Sequence, residues 1–486
     1  MQTIPKTLCR VTPLLCSMTL VACGGGTSDP PPPVDNGPVQ GIDRTGLRSF
    51  GTVNRFSSVV VDGTVFETSN ATITVDEIAA TEADLQVGDV VVVIGEIDTD
   101  GNASALSIES DDLLRGPISA IDIVAETITV LEQTVEVSVD TALDDDLGVA
   151  SIEQLVMGSN VAISGFIKSD GIVLATRIDS DNGNDLQAVG RVSSADQATM
   201  VFSIGPLVVD FSAATLIDFD GEMPTADDIV EVEGDSRDGN GVLRATEVTR
   251  APERIGGDDG DSIEIEGIVT AAPSNGSFST NGITVRFDNE TTFVGGTSAE
   301  LIVGSDVDID AVVGADELPL ATTIAFQQAG EVRLEGDADA VDLTASTVSV
   351  LGVTVSISGE TVVEDDSDLD DRDFSIAGIS VGDFLEIGAR ETGTSSASAE
   401  LIKRDDDDSD GEALVRARID STSRPDLVAL GITIRTDANT EFEADDEDEL
   451  DATAFFAAAT NGRLISVEGI WDGNVLIAES VELEDE

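Results

Sequence analysis

Gly88-Asp89-Val90-Val91-Val92-Val93-Ile94-Gly95 is the stretch whose reading decides the fold. A run of β-branched residues entered from one glycine and left through another is the pattern of a short buried strand between turns. Versions of it return about six times down the chain, including Val161-Ala162-Ile163-Ser164-Gly165, Ile229-Val230-Glu231-Val232-Glu233-Gly234 and Leu464-Ile465-Ser466-Val467-Glu468-Gly469. Looser copies are Gly304 with Val307 and Ile309, and Gly382-Asp383-Phe384-Leu385-Glu386-Ile387. A period of roughly 65 to 80 residues suits a small independent barrel and is too long for one turn of a solenoid.

Upstream of each core strand lies a hairpin. Val59-Val60-Val61-Asp62-Gly63-Thr64-Val65 sets Asp-Gly between β-branched runs, the strongest short hairpin signal. Corresponding turns fall at Gly205, Asn281-Gly282, Leu351-Gly352 and Gly431. Between hairpin and core strand, residues 76–86 and 151–157 read as a short helix. Phe455 and Phe456 with alanines 457–459 fill the same slot, where they are expected to pack over a barrel end. A closing strand follows, as at 101–108 and 171–178. Three strands, a short helix and two more strands is the order of an oligonucleotide/oligosaccharide-binding (OB) barrel.

The expected class is therefore all-β, with about six tandem small five-stranded OB-like β-barrels joined by acidic linkers. The units are placed at 47–110, 111–182, 183–254, 262–328, 329–404 and 411–486. Like-charge repulsion in the acidic runs 179–185, 256–261 and 405–410 is expected to keep the connections extended.

Composition agrees with several β-rich units. At 486 residues the chain exceeds the roughly 250 to 300 residues at which a single core stops growing. Hydrophobic residues at 41% exclude wholesale disorder, and 46 glycines with few aromatics favour short strands and turns. Against 24 basic residues stand 96 acidic ones, a net charge of −72. That field repels phosphate backbones, so nucleic acid is excluded as an expected partner. Its plainest meaning is solubility and resistance to aggregation; adaptation to high salt is the other reading.

The address is read from the amino terminus. Lys6 and Arg10 precede an apolar run over 14–22 that is too short to span a bilayer, so residues 1–22 read as an export signal. Leu20-Val21-Ala22-Cys23 resembles the bacterial lipoprotein signal, in which the cysteine is diacylglyceryl-modified and becomes the first residue after cleavage. The resemblance implies lipidation of Cys23. Gly24, in place of aspartate, implies sorting to the outer membrane, on its periplasmic or cell-surface face. Residues 23–46 then form a tether in which glycines 24–26 are flexible and prolines 30–33 hold an extended spacer. All three cysteines, Cys9, Cys16 and Cys23, lie in this region, so the mature chain forms no internal disulfide.

Three segments together carry a family resemblance. Gly41-Ile42-Asp43-Arg44-Thr45-Gly46, the valine hairpin at 59–65, and Leu85 followed by Gly88 and the valine run are similar to a bacterial family known only as domain of unknown function 5666. The likeness covers nearly the whole mature chain, more strongly in repeats one and two, and rests on the order and repetition of its motifs. Arg44 stands where that family tends to have a glycine. The resemblance implies an exported, often lipidated chain and brings no activity with it.

Chemistry-bearing groups are few. Histidine and tyrosine are absent, and a serine nucleophile would depend on Lys168 or Lys403 for activation, the two lysines outside the leader. Asp406, Asp408, Asp410 and Gly411 reproduce the first half of a calcium loop, where alternate carboxylates converge on a hard cation. Ala417 occupies the place of the bidentate glutamate, so a solvated linker is the simpler reading. Shorter fragments of this kind are Asp98-Asp100-Gly101 and Asp235-Asp238-Gly239. Calcium is the one cofactor these runs suggest. Trp471, the single tryptophan, is expected to pack within its repeat rather than stack on a sugar.

The expected function is that of a non-catalytic, outer-membrane-anchored lipoprotein presenting tandem β-barrel repeats as a cell-envelope structural or interaction module. Its partners would be the membrane, through the lipid, and an envelope protein or polysaccharide. One alternative is a calcium-dependent matrix or adhesion protein that uses the Asp-rich linkers. Another is a periplasmic glycan-processing enzyme with paired carboxylates.

Overall fold

In the first repeat the valine stretch becomes the strand Val90–Ile97, flanked antiparallel by the opening strand Thr45–Phe56 and the closing strand Ala103–Ser110. Thr45–Phe56 also pairs with Val59–Val61, and Val59–Val61 with Thr64–Glu67. Thr64–Glu67 then meets Ala103–Ser110 in parallel, so the circuit closes and each of its strands has two neighbours. Val91 and Val93 point inward with Leu47, Val53, Phe66 and Ile108, all buried. These observations come from a computed structural model that describes residues 45–56, 59–144, 147, 151–250, 256–327, 330–367, 369, 371–406, 411–444 and 448–484.

The same five-strand circuit, with the same parallel closing pair, recurs in the second repeat, the third, the fourth, the fifth and the sixth. The chain is thus mostly β, built from repeated units.

Local chemistry explains the recurring signals. Asp62 and Gly63 turn the first hairpin with φ of 48° and 73°, the two positive values of a type I′ turn. Gly88, at φ 90°, donates its N–H to Val53 O at 2.8 Å, while the Asp89 carboxylate accepts from Gln86 N at 2.7 Å and caps the turn into the core strand. Gly158, Asp227, Gly304, Gly382 and Gly462 make the equivalent backbone bond to their own opening strands. At the exit, the ladder shifts by one residue between Ile94 and Gly95, a bulge at which a Cβ on Gly95 would lie 2.6 Å from Ser104 O.

Two expectations need correction. The helix expected over 76–86 is instead the strand Ile78–Ala80 and the 3₁₀ turn Glu82–Asp84, and that over 151–157 is the 3₁₀ turn Ile152–Gln154. In the first of these, Asp76 and Glu77 take positive φ of 46° and 59° and turn the chain so that Ile78–Ala80 pairs back on Thr72–Val75. Among the described residues only repeat six has an α-helix, Ala452–Ala458, where Asp451 accepts from Thr453 N and Ala454 N and Phe455 buries against Phe442. No described helix is long and apolar enough to cross a membrane.

The second correction concerns spacing, since the units pack directly instead of being held apart. Opening strands pair across repeats: the first with the fourth, in parallel from Leu47↔Ser262 to Phe50↔Ile265; the second with the third; and the fifth with the sixth. Three extended sheets result. Backbone ladders and shared cores outweigh the acidic repulsion, which is also neutralised locally. In the run 179–185, Asp179 pairs with Arg177 at 2.6 Å and Asp181 accepts from Gly183 N at 2.8 Å.

Candidate metal centre

Pairing of repeat one with repeat four brings their outer faces toward repeats two and five, and the four line a cleft of about 130 Å³ that is partly open to solvent. Its wall is rich in carboxylates. Repeat one contributes Asp62, from the type I′ turn, and repeat two contributes Asp140. Repeat four supplies Glu266, Asp306 and Asp308, the last two from the strand Asp306–Val313, whose acids alternate with core-facing Val307 and Ile309. Glu360 and Glu400 come from repeat five.

Neutral groups hold this wall in place. Thr52 donates its N–H to Glu266 Oε2 at 2.6 Å and its hydroxyl to Oε1 at 3.0 Å. Asn54 Nδ2 donates to the carbonyl of Glu360 at 2.8 Å, fixing the fifth-repeat turn on the first repeat. The Gln327 amide donates to Asp308 and, at 3.3 Å, to Glu360 Oε2. Gly330 N–H reaches Asp140 Oδ2 at 2.9 Å.

Oxygen atoms of Asp62, Asp308 and Glu360 lie within 4.8 Å of one another. Such proximity disfavours simultaneous ionisation, although Asp62 and Asp308 are half-buried and Glu360 is exposed. Burial, then the charges of Glu360 and Asp310, raise Asp62 to about 7. Burial and Asp62 raise Glu266 to about 8 against the Thr52 hydrogen bonds. Asp308 is pushed well up by burial, Asp62 and Glu266. Burial takes Asp306 to about 7, helped by Asp140 and opposed by Lys168. It takes Asp140 to about 6, against the Gly330 hydrogen bond and Arg390. Glu400 reaches about 7 through burial and Asp140. The wall can therefore take up protons or a cation.

The residues singled out in the sequence lie elsewhere. Cys23 with the signal and tether through residue 44, and Asp408 and Asp410, fall outside the described residues. Asp406 follows the closing strand of repeat five and donates its N–H to Asp405 Oδ1 at 2.6 Å. Asp98 accepts from the N–H groups of Asp100 and Asn102 at 2.8 and 2.9 Å, and Asp238 from those of Asn240 and Val242 at 2.7 and 3.1 Å. Both close hairpin turns. Trp471 ends a core strand and packs, partly buried, against the core of repeats five and six. Lys168 is held by Glu136 at 2.8 Å and Lys403 by Asp366.

Sequence reasoning missed the acidic cavity because its members are spread from residue 62 to residue 400 and meet only when four repeats pack. One signal was present: Asp306, Asp308 and Asp310 alternate with aliphatics, stacking three like charges on one strand face.

No curated protein matches the chain. A solved chain described as drosophila Unr CSD456 is similar at 15% identity over 45% of this chain and 96% of its own, with a TM-score of 0.19, a likeness too low to support a conclusion. The family described as Domain of unknown function (DUF5666) matches at residues 37–109, 115–179, 189–249, 266–325, 335–403 and 416–482. Those six matches coincide with the six closed strand circuits, and the chain belongs to the DUF5666 family.

Proposed function

We propose that this protein is an exported, non-catalytic lipoprotein of the outer membrane that presents six OB-like barrels as one cell-envelope module. The observation that carries the modular reading is cross-repeat pairing of opening strands, which joins the units two by two into extended sheets of the kind suited to a structural or docking role. An OB-like assignment is supported by the order of the five strands and the parallel pair that closes each circuit. Anchoring rests on Cys23 behind its apolar leader. Acyl chains contribute about 0.8 kcal/mol per buried methylene, and more than one chain holds a protein durably. An envelope protein or polysaccharide is the partner class we favour, since the net charge of −72 opposes nucleic acid.

Cell fractionation tests the reading. Wild-type protein should sediment with outer membranes, and Cys23→Ser should move it to the soluble fraction. A Cys23→Ser protein that stays in the membrane would sink the anchoring proposal.

A further inference from the structure

We propose that the cleft where repeats two, three and four meet binds the carboxyl-terminal end of a peptide chain, with the Arg191 guanidinium taking the terminal carboxylate. The cleft has a volume of about 600 Å³, is partly open to solvent, and is lined by Ile167, Ile229 and Ala271 as well as by charged groups. Clefts of this size and mixed lining are where proteins hold small ligands. Two of its cations are already engaged by the chain. Lys168 is bound by Glu136 at 2.8 Å, and Arg250 lies 3.4 Å from Asp228 with its guanidinium over the Phe219 ring. Arg191 donates from Nη1 to the carbonyl of Asp227 at 3.0 Å, and among the described residues its Nε and Nη2 have no acceptor.

Repeat six shows what such a fork takes. The opening strands of repeats two and three pair in the same register as those of five and six, Leu114 with Ala188 and Leu334 with Val415. Arg191 and Arg418, each three residues beyond the paired Ala188 or Val415, are therefore equivalent. Nη1 of Arg418 donates to the carbonyl of Gly462 at 2.8 Å, the counterpart of the Arg191 bond to Asp227. Its Nε and Nη2 then hold both oxygens of Glu331 at 2.8 and 2.9 Å, a bidentate pair selective for a planar carboxylate. In repeat three the chain supplies no such carboxylate, and Arg191 lines the cleft instead.

Asp227 gives the site its acceptor side. The other five repeats place Gly88, Gly158, Gly304, Gly382 and Gly462 at this turn, whereas Asp227 makes the same backbone bond at a φ of 75°. Aspartate is less at ease than glycine in that region. Its carboxylate also lines the cleft and has no hydrogen bond or ion pair among the described residues. With Asp170 in the same wall, it offers acceptors for peptide N–H groups, which a fatty acid lacks. A carboxylate, N–H donors and apolar side chains together describe a peptide end. The inference sharpens the envelope-protein partner proposed above and rests on that reading for its biological setting alone, since binding is measured without reference to the anchor.

Calorimetric titration of the full-length protein tests it, at 0.15 M salt, where charges more than about 8 Å away are largely screened. The probes are acetylated tetrapeptides ending in alanine, valine or leucine, their carboxamides, and octanoate. At least one free-acid peptide should bind, and its carboxamide about tenfold more weakly. Arg191→Gln should weaken the free acid about tenfold without lowering the unfolding temperature, and Asp227→Gly should weaken it roughly threefold while leaving the fold at least as stable. Arg418→Gln, at the equivalent place in repeat six, should bind as wild type. No binding by any free-acid peptide, equal binding of acid and carboxamide, wild-type affinity in Arg191→Gln, or an equal loss in Arg418→Gln would overturn the proposal. Octanoate binding as tightly as the best peptide would overturn the assignment to a peptide end.

Discussion

Nη1 of Arg177 lies 3.1 Å from Oε1 of Glu364, an ion pair that joins the second repeat to the fifth. The same guanidinium pairs with Asp179 at 2.6 Å and donates to the carbonyl of Val87, in the first repeat, at 2.9 Å. Only 3% of the Arg177 side chain is exposed, so its removal leaves several acceptors buried without their cation. Breaking a buried pair from one side costs about 3–5 kcal/mol. Arg177→Ala should lower the midpoint of denaturant unfolding accordingly, while Arg435→Ala, at a surface pair with Asp426, should cost under about 1 kcal/mol. Equal effects would show that the three-repeat junction adds no stability.

Stability should peak in mildly acidic solution. Burial alone would raise the Asp365 carboxyl, but hydrogen bonds from Arg404, Ser367 and the backbone N–H of Asp371 hold it down at about 2, from an ordinary 3.8. Its contribution is complete above pH 4 and drains away between about 4 and 2. Two other carboxyls act in the opposite sense. Burial and Glu335 raise Glu386 to about 8, with Asp405 adding to and Arg333 opposing the shift. Burial raises Asp89 to about 8 against Arg177, with Asp179 and Asp112 contributing. Each keeps its proton in the folded state and loses it near pH 4 when unfolded, so stability falls as pH rises from about 4 toward 8. Unfolding temperature against pH at constant ionic strength should show a maximum near 4 to 5. A profile rising steadily to pH 8 would contradict this account.

The bulge glycine has a measurable cost of replacement. In repeat six a Cβ on Gly469 would stand 2.1 Å from the carbonyl oxygen of Ile477, closer than any packed carbon can approach. Gly469→Ala must open the ladder between the last two strands and should cost roughly 1–3 kcal/mol. Repeats four and five carry Ala311 and Ala389 at their bulges, so Ala311→Gly should cost no more than about 1 kcal/mol. Parallel denaturant titrations of the two variants check the contrast.

The features that rest on neighbouring residues were legible in the sequence. Val90 to Val93 had to be a strand because their β-branching suits one and glycines bound them, and Asp62-Gly63 had to turn because both positions tolerate positive φ. Phe455 follows the same logic within its short helix. Contacts set by packing faces were not legible. Thr72–Val75, a short strand added in parallel to the closing strand, has no local mark that separates it from a loop. Nothing near Leu47 announces Ser262 as its cross-strand neighbour. The acidic cavity inherits that difficulty, since its carboxylates are ordinary surface acids until the faces that carry them meet.

The parallel pairing of Thr45–Phe56 with Ser262–Ser274 also constrains synthesis. Emerging from the ribosome amino end first, the opening strand of repeat one waits through more than two further repeats before its outer partner exists. A linear array can gain or lose a unit at little cost because each touches only its sequence neighbours. Here the excision of repeat two or three would change which surfaces meet around repeat one. The number of units is therefore part of the architecture.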